Sequence, residues 1–392
     1  MSYVHINGAK NLRLATYKIM NLLQKNNLPK FLFILLVIAS LFYKNNEAVS
    51  SMLIFFIVIT GLVVAHELAH YFTAKIFNVK ILEAGIGFPP RVMGFKFKKT
   101  LYSINLLPLG GFVKLLGEEA SDEPDSLSQK SYIQRFIILF SGSFINLILP
   151  ILLFSSSYMI PHEVEVGKPQ ITFVHQDSPA YFSGIKQGDI ILSVNNREAN
   201  NVQKAVQLIR INLGKDIDLK IQRGSEVIDI NTKPRWSHPS NQGPTGISIA
   251  SQYPFTETIS MGLLEATKEG TRTTIDSFIL FRNEIISWFN GNSQPEFAGP
   301  VGIAEITGDV ARQGGIAPLL YLTAILSINL GILNLLPFPM LDGGRIFLLL
   351  IEILRRGKKI KPEKEALFHL SGFIIFIFFA IIITINDLLR VL

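Results

Sequence analysis

Four long apolar segments constrain the fold of this chain more than any other feature of its sequence. A helix needs roughly 20 apolar residues to cross a hydrocarbon core about 30 Å thick. A fifth apolar run, at 31–43, is shorter and could be a further span, an interfacial helix or a re-entrant piece. We therefore expect an α-helical polytopic membrane protein with four core spans and a short N-terminal span. The four long segments are 52–77, 136–160, 319–341 and 367–385.

The composition supports a membrane protein and excludes several other classes. Hydrophobic residues make up 48% of the 392 residues and charged residues 17%, whereas soluble domains carry roughly 25% charged residues. The net charge of +7 comes from basic residues beside the apolar segments, so we expect contact with lipid and not with nucleic acid. The chain has no cysteine, which excludes disulfides, thiolate zinc ligands and a cysteine nucleophile.

Basic loops indicate the orientation of the spans. Residues 91–100 and 355–364 are strongly basic, which is typical of cytoplasmic loops. The long stretch 161–317 would then lie outside the cytoplasm. The N-terminus is also basic, and placing it in the cytoplasm requires the short segment 31–43 to cross the membrane, which favours five spans.

The outward stretch is predicted to contain a β-rich domain followed by a helical region. Residues 164–235 alternate short β-patterned runs with one helical run, and residues 254–289 have apolar positions at helical spacing. The sequence therefore divides into five parts. They are 1–50, a basic N-terminus with the extra span; 51–160, the first membrane half; 161–240, the β-rich domain; 241–315, an amphipathic helical linker region; and 316–392, the second membrane half.

The stretch HELAH at 66–70 places three polar residues in the first long apolar segment. On a helix, His66 and His70 project from one face and can direct ring nitrogens at one metal ion, with Glu67 beside them. This H-E-x-x-H pattern supplies two zinc ligands and a general base. Charged residues inside membrane helices cost about 2.5–3.5 kcal/mol and are usually functional. The alternative is that the helix ends at Val64 and that HELAH is a wetted flank.

A catalytic zinc site needs a third protein ligand, and Asp342 is the better candidate. It is a lone carboxylate between apolar runs, preceded by Pro337 and Pro339 and followed by two glycines. Backbone groups freed by a helix break must find partners in protein or water, so the break indicates a cavity. The glycines permit a close backbone approach. Asp342 could instead be a helix cap at a membrane exit, and His369 is the weaker candidate ligand.

The two motifs together resemble one known family. HELAH at 66–70 and NLLPFPMLDGG at 334–344 are similar to the motifs of the site-2 protease family of intramembrane zinc metalloproteases. The bacterial envelope-stress branch, which carries a PDZ domain, is the nearer likeness because both motifs occur in order around a PDZ-like insert at 161–240. The resemblance covers about 55–350.

The resemblance implies roles for five residues. His66, His70 and Asp342 would bind Zn²⁺, and Glu67 would activate the attacking water. Asn334 matches the family asparagine that lies near the bound substrate backbone, although it could equally make a polar contact between helices. The family's second core span usually has a glycine-proline pair followed by asparagine. Here Gly142 and Asn146 remain, while Ser143 stands in place of the proline.

The resemblance also implies two substrate-handling parts. Residues 94–118 fit a membrane-associated β-hairpin with a bend at Gly110 and Gly111, which would hold the substrate as an added strand. The alternative is an ordinary cytoplasmic hairpin. The PDZ-like domain would bind peptide C-termini or extended peptides, and would either gate access or recruit substrates.

The expected function is cleavage within the transmembrane segments of single-span membrane proteins in a bacterial cytoplasmic (inner) membrane. Such regulated intramembrane proteolysis could release an anti-sigma factor or clear signal-peptide remnants, with the PDZ-like domain extracytoplasmic. A catalytically silent PDZ-bearing scaffold is the alternative, which the intact motifs disfavour. A metal transporter is a third reading, disfavoured because no relay of further acidic residues follows the spans.

Overall fold

The structure, a computed structural model, describes residues 46–118, 121–239, 242–291 and 299–391. The predicted short span at 31–43 lies outside the described residues. Internal contacts divide the chain after Leu53, and the residues of the site described below all belong to the unit Ile54–Leu392.

The described residues form nine α-helices and eight β-strands. The helices are α1 (Asn46–Ile76), α2 (Tyr132–Met159), α3 (Pro179–Phe182), α4 (Val202–Arg210), α5 (Leu263–Phe289), α6 (Pro300–Gly314), α7 (Ile316–Asn334), α8 (Asp342–Leu354) and α9 (Pro362–Val391). The strands are β1 (Ile81–Phe97), β2 (Thr100–Leu115), β3 (His162–Val174), β4 (Ile190–Val194), β5 (Arg197–Glu198), β6 (Ile217–Arg223), β7 (Glu226–Thr232) and β8 (Ile247–Ile259).

Helices α1, α2, α7 and α9 are each long and apolar enough to cross a membrane. The four core spans predicted from the sequence are therefore present, and the chain is a polytopic membrane protein with a β-rich domain. The prediction was wrong at the end of the third span, since α7 stops at Asn334 and residues 335–341 are not helical. Pro337 and Pro339 lack the amide hydrogen and the backbone freedom that a continued helix requires.

Small and hydroxylated residues pack α7 against α2. A side chain at Gly331 of α7 would have its Cβ 2.9 Å from Leu147 of α2. The Ser327 hydroxyl donates a hydrogen bond to the backbone carbonyl of Asn146 at 2.8 Å. Close backbone approach and hydrogen bonds between helices stabilise membrane bundles, where burial of apolar surface gives little. This contact fixes the part of α2 that lies against the site.

Strands β1 and β2 form an antiparallel hairpin, with a turn at residues 98–99. Both strands bend, so residues 83–86 pair on one side with 111–114 and on the other with 101–104. The hairpin thus begins at Ile81, well before the predicted residue 94.

Residues 101–104 run parallel to 83–86, whereas residues 111–114 run antiparallel to them, so β2 reverses direction between 104 and 111. The chain therefore bends just before Gly110 and Gly111, as the sequence predicts. They allow the strand to approach α1. A Cβ at Gly110 would lie 3.1 Å from Val63, and one at Gly111 would lie 3.7 Å from the Glu67 side chain. The glycine pair therefore places an edge of the hairpin directly against the helix that carries HELAH.

The β-rich domain contains a six-stranded sheet in the order β7-β6-β4-β3-β8, with β5 paired to β4. Its core includes Ile171, Ile191, Leu208 and Ile217, all fully buried. Strand β8 pairs along its length with β3, so the domain extends to Ile259 and not to residue 240. The expected helix at 254–289 begins only at Leu263, because the long edge of β3 holds the preceding residues extended.

Helix α5 joins this domain to the membrane helices. Arg197 of β5 donates two hydrogen bonds to Asp276 of α5, at 2.9 and 2.5 Å. These bonds raise the pKa of the Arg197 guanidinium above its ordinary value. On another part of α5, a Cβ at Gly270 would lie 2.4 Å from the Ser155 hydroxyl of α2. The linker region between the β-rich domain and the second membrane half is therefore a packed helix.

Candidate active site

Helix α1 carries the HELAH residues within its continuous length. His66 and His70 are both buried, and their Nε2 atoms lie 3.2 Å apart. The helix continues to Ile76, so it does not end at Val64 and these residues are not a flank outside it. The helical spacing brings the two imidazoles together, as the sequence predicts.

Asp342 joins the two histidines from a distant part of the chain. Its Oδ2 atom lies 3.0 Å from His66 Nε2 and 3.2 Å from His70 Nε2. Asp342 is the first residue of α8, so it follows directly on the break after α7. The three side chains form a group that could hold a metal ion.

The loop before Asp342 depends on two glycines and on α9. A Cβ at Gly343 would lie 2.2 Å from the carbonyl oxygen of Leu336, and one at Gly344 would lie 2.2 Å from that of Phe338. The loop therefore folds back onto the first turn of α8. His369 accepts a hydrogen bond from the Met340 amide at 3.0 Å, so this histidine supports the loop and is not a member of the metal-binding group.

Helix α2 closes the group on the side of the imidazoles. A Cβ at Gly142 would lie 2.3 Å from His70 Nε2 and 2.5 Å from His66 Nε2, so a larger residue cannot occupy this position without moving the imidazoles. His70 Nδ1 lies 2.7 Å from the carbonyl oxygen of Ile138 and donates to it. His66 Nδ1 lies 3.3 Å from the Asn146 amide nitrogen.

The donor set fits zinc. Two ligands bound tetrahedrally at 2.0–2.1 Å lie about 3.3 Å apart, and the three ligand atoms here are separated by 3.0–3.2 Å. The bond from His70 Nδ1 to a carbonyl leaves its Nε2 lone pair free for a metal. Two histidines, one carboxylate and an open fourth position are typical of catalytic zinc sites.

Glu67 lines two adjoining cavities. One of about 320 Å³ also contains His70, Asp342 and Arg345. The other, of about 440 Å³, lies between α1 and the hairpin and is almost wholly apolar. Glu67 therefore stands between the metal-binding group and a space that could hold an extended apolar peptide.

One predicted residue lies away from the metal-binding group, and three residues that were not assigned to the site contact it or its loop. Asn334 is the last residue of α7 and does not line the cavity that contains Asp342. The sequence did not predict the contacts that Gly142 and Asn146 make with the group, nor the contact that His369 makes with the loop before Asp342. A polar residue in an apolar span, such as Asn146, is the signal that could have indicated a contact.

Comparisons with known proteins agree with this geometry. The model of peptidase family M50 matches residues 54–379. A protein of Clostridium acetobutylicum, named provisionally as a zinc metalloprotease, is 33% identical over 328 residues, which are 83% of this chain and 94% of that protein. The zinc metalloprotease RasP of Oceanobacillus iheyensis is 28% identical over 419 residues, covering 86% and 98%. The regulator of sigma-W protease RasP of Bacillus subtilis is 27% identical over 425 residues, covering 87% and 99%.

The family model matches most of the chain, and the relatives are aligned over nearly their whole length. Both findings agree with a site that has two histidines and one carboxylate. The chain belongs to peptidase family M50, the site-2 protease family, and it is a zinc metalloprotease.

Proposed function

We propose that this protein cleaves peptide bonds within the transmembrane segments of single-span membrane proteins. The observation that carries the proposal is that His66 and His70, which join Asp342 in the group that could hold a metal ion, lie on α1, a helix long and apolar enough to span the membrane. His66, His70 and Asp342 bind zinc, and Glu67 is the general base. All four groups are present, which disfavours a catalytically silent scaffold.

The proposed mechanism assigns Glu67 to proton transfer. His66, His70 and Asp342 would hold the zinc ion, which when bound would supply Lewis acidity to the scissile carbonyl and lower the pKa of water toward neutral. Glu67 takes the proton of the attacking water and delivers it to the leaving amine. Its position at the junction of the two cavities gives it access to both the water and the peptide.

The proposed substrate site is the edge of the hairpin. Among the described residues, 111–114 pair only with 83–86, so their other edge has no strand partner. These residues line the apolar cavity beside Glu67. An unwound substrate segment can add to this edge as a further strand. Asn334, at the break that leads to Asp342, would contact the substrate backbone.

Substrate selection follows from the need to unwind the substrate helix. The carbonyl groups of a transmembrane helix are hydrogen-bonded and shielded from water, so they must be freed before hydrolysis. Weak helix formers lower this cost, since glycine is about 1 kcal/mol less favourable than alanine in a helix interior. We therefore expect preference for spans that contain such residues, and replacing them with alanine and leucine should reduce cleavage.

The hairpin is proposed to lie in the lipid bilayer. Val92, Phe95 and Phe97 of β1 are largely exposed, which is unfavourable in water and suits contact with acyl chains. Lys98 and Lys99 lie at the turn of the hairpin, where they can reach anionic lipid headgroups. This supports a membrane-associated hairpin over a purely cytoplasmic one.

The β-rich domain is proposed to be an extracytoplasmic PDZ-like domain of a protein in the bacterial inner membrane. It would take peptide C-termini or extended peptides at a sheet edge and so regulate cleavage. One relative is named a regulator of sigma-W protease, which supports the release of a membrane-tethered regulator such as an anti-sigma factor. Clearance of signal-peptide remnants is the other use of the same chemistry.

The test compares the wild-type protein with Glu67→Gln in membranes that contain a tagged single-span substrate. Wild type should release a fragment cut within the span, and the variant should release none while it binds zinc as wild type does. Zinc bound per chain is measured in parallel, because equal binding separates loss of the base from loss of the metal. Full activity of Glu67→Gln would remove the proposed role of Glu67.

A further inference from the structure

A buried amide on α2 faces one of the histidines through its nitrogen. Asn146 is fully buried, and its Nδ2 atom lies 3.3 Å from Nδ1 of His66. Its Oδ1 atom is buried without a hydrogen-bond partner in the described part of the chain. Leaving a buried acceptor unpaired is unfavourable, so this arrangement needs an explanation.

The chemistry of a metal-bound imidazole requires the opposite orientation. His66 Nε2 is the atom that faces Asp342 and His70, so Nδ1 carries the hydrogen when Nε2 binds a metal. Nδ1 and Nδ2 are then two donors facing each other. The oxygen and nitrogen of a side-chain amide are assigned from their hydrogen bonds, and turning the amide of Asn146 places its oxygen opposite the hydrogen of Nδ1.

The displaced amide nitrogen has an acceptor within the same helix. Ser143 Oγ is also buried without a partner among the described residues and lies three positions earlier on α2, where side chains are neighbours. The two side chains are not in direct hydrogen-bond contact with each other, so one buried water would have to bridge the turned amide nitrogen and Ser143 Oγ. Such a water would use both unpaired oxygens of this part of α2.

We propose that Asn146 is the positioning residue of His66: its side-chain oxygen accepts the hydrogen of Nδ1 and holds Nε2 toward the metal. The inference rests on the zinc site proposed above. His70 has the equivalent acceptor in the backbone carbonyl of Ile138, at 2.7 Å. The Ser141 hydroxyl also lies 3.4 Å from His70 Nδ1. His70 thus keeps a backbone acceptor on α2 whatever the side chains are, whereas the acceptor of His66 is the side chain of Asn146.

Helix α7 keeps this acceptor in place. The Ser327 hydroxyl bonds the backbone carbonyl of Asn146 at 2.8 Å. A Cβ at Gly331 would lie 3.2 Å from the Asn146 Cβ, so the two helices are in close contact at this residue. Asn146 therefore connects the packing of α2 and α7 to the orientation of a ligand on α1.

The experiment measures metal binding, with no substrate present. Asn146→Asp keeps an acceptor oxygen, and Asn146→Leu and Asn146→Ala remove it. Ser155→Ala is the control on the same helix, because the Ser155 hydroxyl bonds the Ile151 carbonyl away from the site. Zinc affinity is determined by competition with a chelator in the full-length purified protein, and the visible spectrum of the cobalt-substituted protein reports the ligand geometry.

We expect a loss of roughly 10- to 100-fold in zinc affinity for the variants without an acceptor, as for other partners of metal-bound histidines. The aspartate variant and Ser155→Ala should stay within a few-fold of wild type, and the cobalt spectrum should change only in the alanine and leucine variants of Asn146. If the leucine variant does not fold, the alanine variant decides.

Two results would overturn the inference. A folded alanine or leucine variant with wild-type affinity would show that His66 needs no acceptor from Asn146. Equal losses in the aspartate and leucine variants would show that the amide hydrogens or the shape of the side chain matter, and not the acceptor. Failure of the wild-type protein to bind zinc is a separate outcome that would contradict the proposed function itself.

Discussion

Gly142 of α2 lies against His70 of α1 so closely that a Cβ at residue 142 would stand 2.3 Å from the imidazole Nε2. The same Cβ would stand 2.5 Å from Nε2 of His66. Both contacts are made with the atoms that face the metal, so the glycine keeps open the space in which the ligands converge.

Gly142→Ala should therefore weaken metal binding strongly. The methyl group would displace both imidazoles, and we expect zinc affinity to fall by roughly 100-fold, the upper end of the effect of disturbing a ligand's surroundings. The control is Gly61→Ala on α1, where a Cβ would meet nothing within 4 Å. Chelator competition on both purified variants checks this, and unchanged affinity in Gly142→Ala would contradict the geometry of the site.

His369→Ala should loosen the loop that precedes Asp342. The Met340 amide loses its acceptor, and such a bond contributes about 0.5–1.5 kcal/mol. Since Asp342 lies two residues beyond Met340, we expect a several-fold loss of zinc affinity and a lower unfolding temperature. Gln in place of His369 can accept from the same amide and should restore part of the affinity. His175→Ala in the β-rich domain is the control, and an equal loss there would show a nonspecific effect.

The convergence of the candidate site residues was predictable because its signals are local. The helical spacing of His66 and His70 in an apolar segment predicts that the two side chains share one face of a helix, with Glu67 beside them. The prolines before Asp342 and the two glycines after it predict a carboxylate at a helix break. Gly142 and His369 could not be placed in the same way. Their contacts join helices that are far apart in sequence, and a glycine in an apolar span indicates close packing without naming its partner.

The hairpin and the sheet show where local patterns mislead. The hairpin was predicted to begin at residue 94, whereas its first strand begins at Ile81 and its turn lies at 98–99, where there is no glycine. The backbone at Lys98 has a positive φ of 54°, which is uncommon for a lysine. Residues 254–259 have a helical pattern of apolar positions, yet pairing with β3 holds them in a strand. Tertiary pairing overrides local preference in both cases.

Removing Arg197 should destabilise the connection between the β-rich domain and α5. The side chain of Asp276 is only 5% exposed, and an unpaired buried charge of this kind costs about 3–5 kcal/mol. Arg197→Met should lower the unfolding temperature, while Arg197→Met with Asp276→Leu should be milder because no charge remains. The fluorescence of Trp236 and Trp288, the two tryptophans of the chain, reports unfolding in detergent. Lys220→Met on the exposed side of β6 is the control.

Deleting the β-rich domain should show whether it restricts access to the active site. His162 and Ile259 are paired neighbours at the ends of β3 and β8, so residues 163–258 can be replaced by a short glycine-serine linker without stretching the chain. We expect cleavage of an untrimmed, full-length substrate to rise in the deletion variant, because bulky outer domains would no longer be excluded. Zinc binding should be unchanged, since His66, His70 and Asp342 all lie outside the deleted residues.

The deletion experiment can also give the opposite result, and it needs a control. A fall in cleavage of both trimmed and untrimmed substrates, with zinc still bound, would assign recruitment to the domain instead of restriction. The control is the deletion variant with Glu67→Gln, which separates cleavage by this protein from cleavage by other membrane proteases. Arg197→Met loosens the same domain without removing it. A rise in cleavage of the untrimmed substrate that is smaller in Arg197→Met than in the deletion variant would show that the packing of the domain against α5 restricts access.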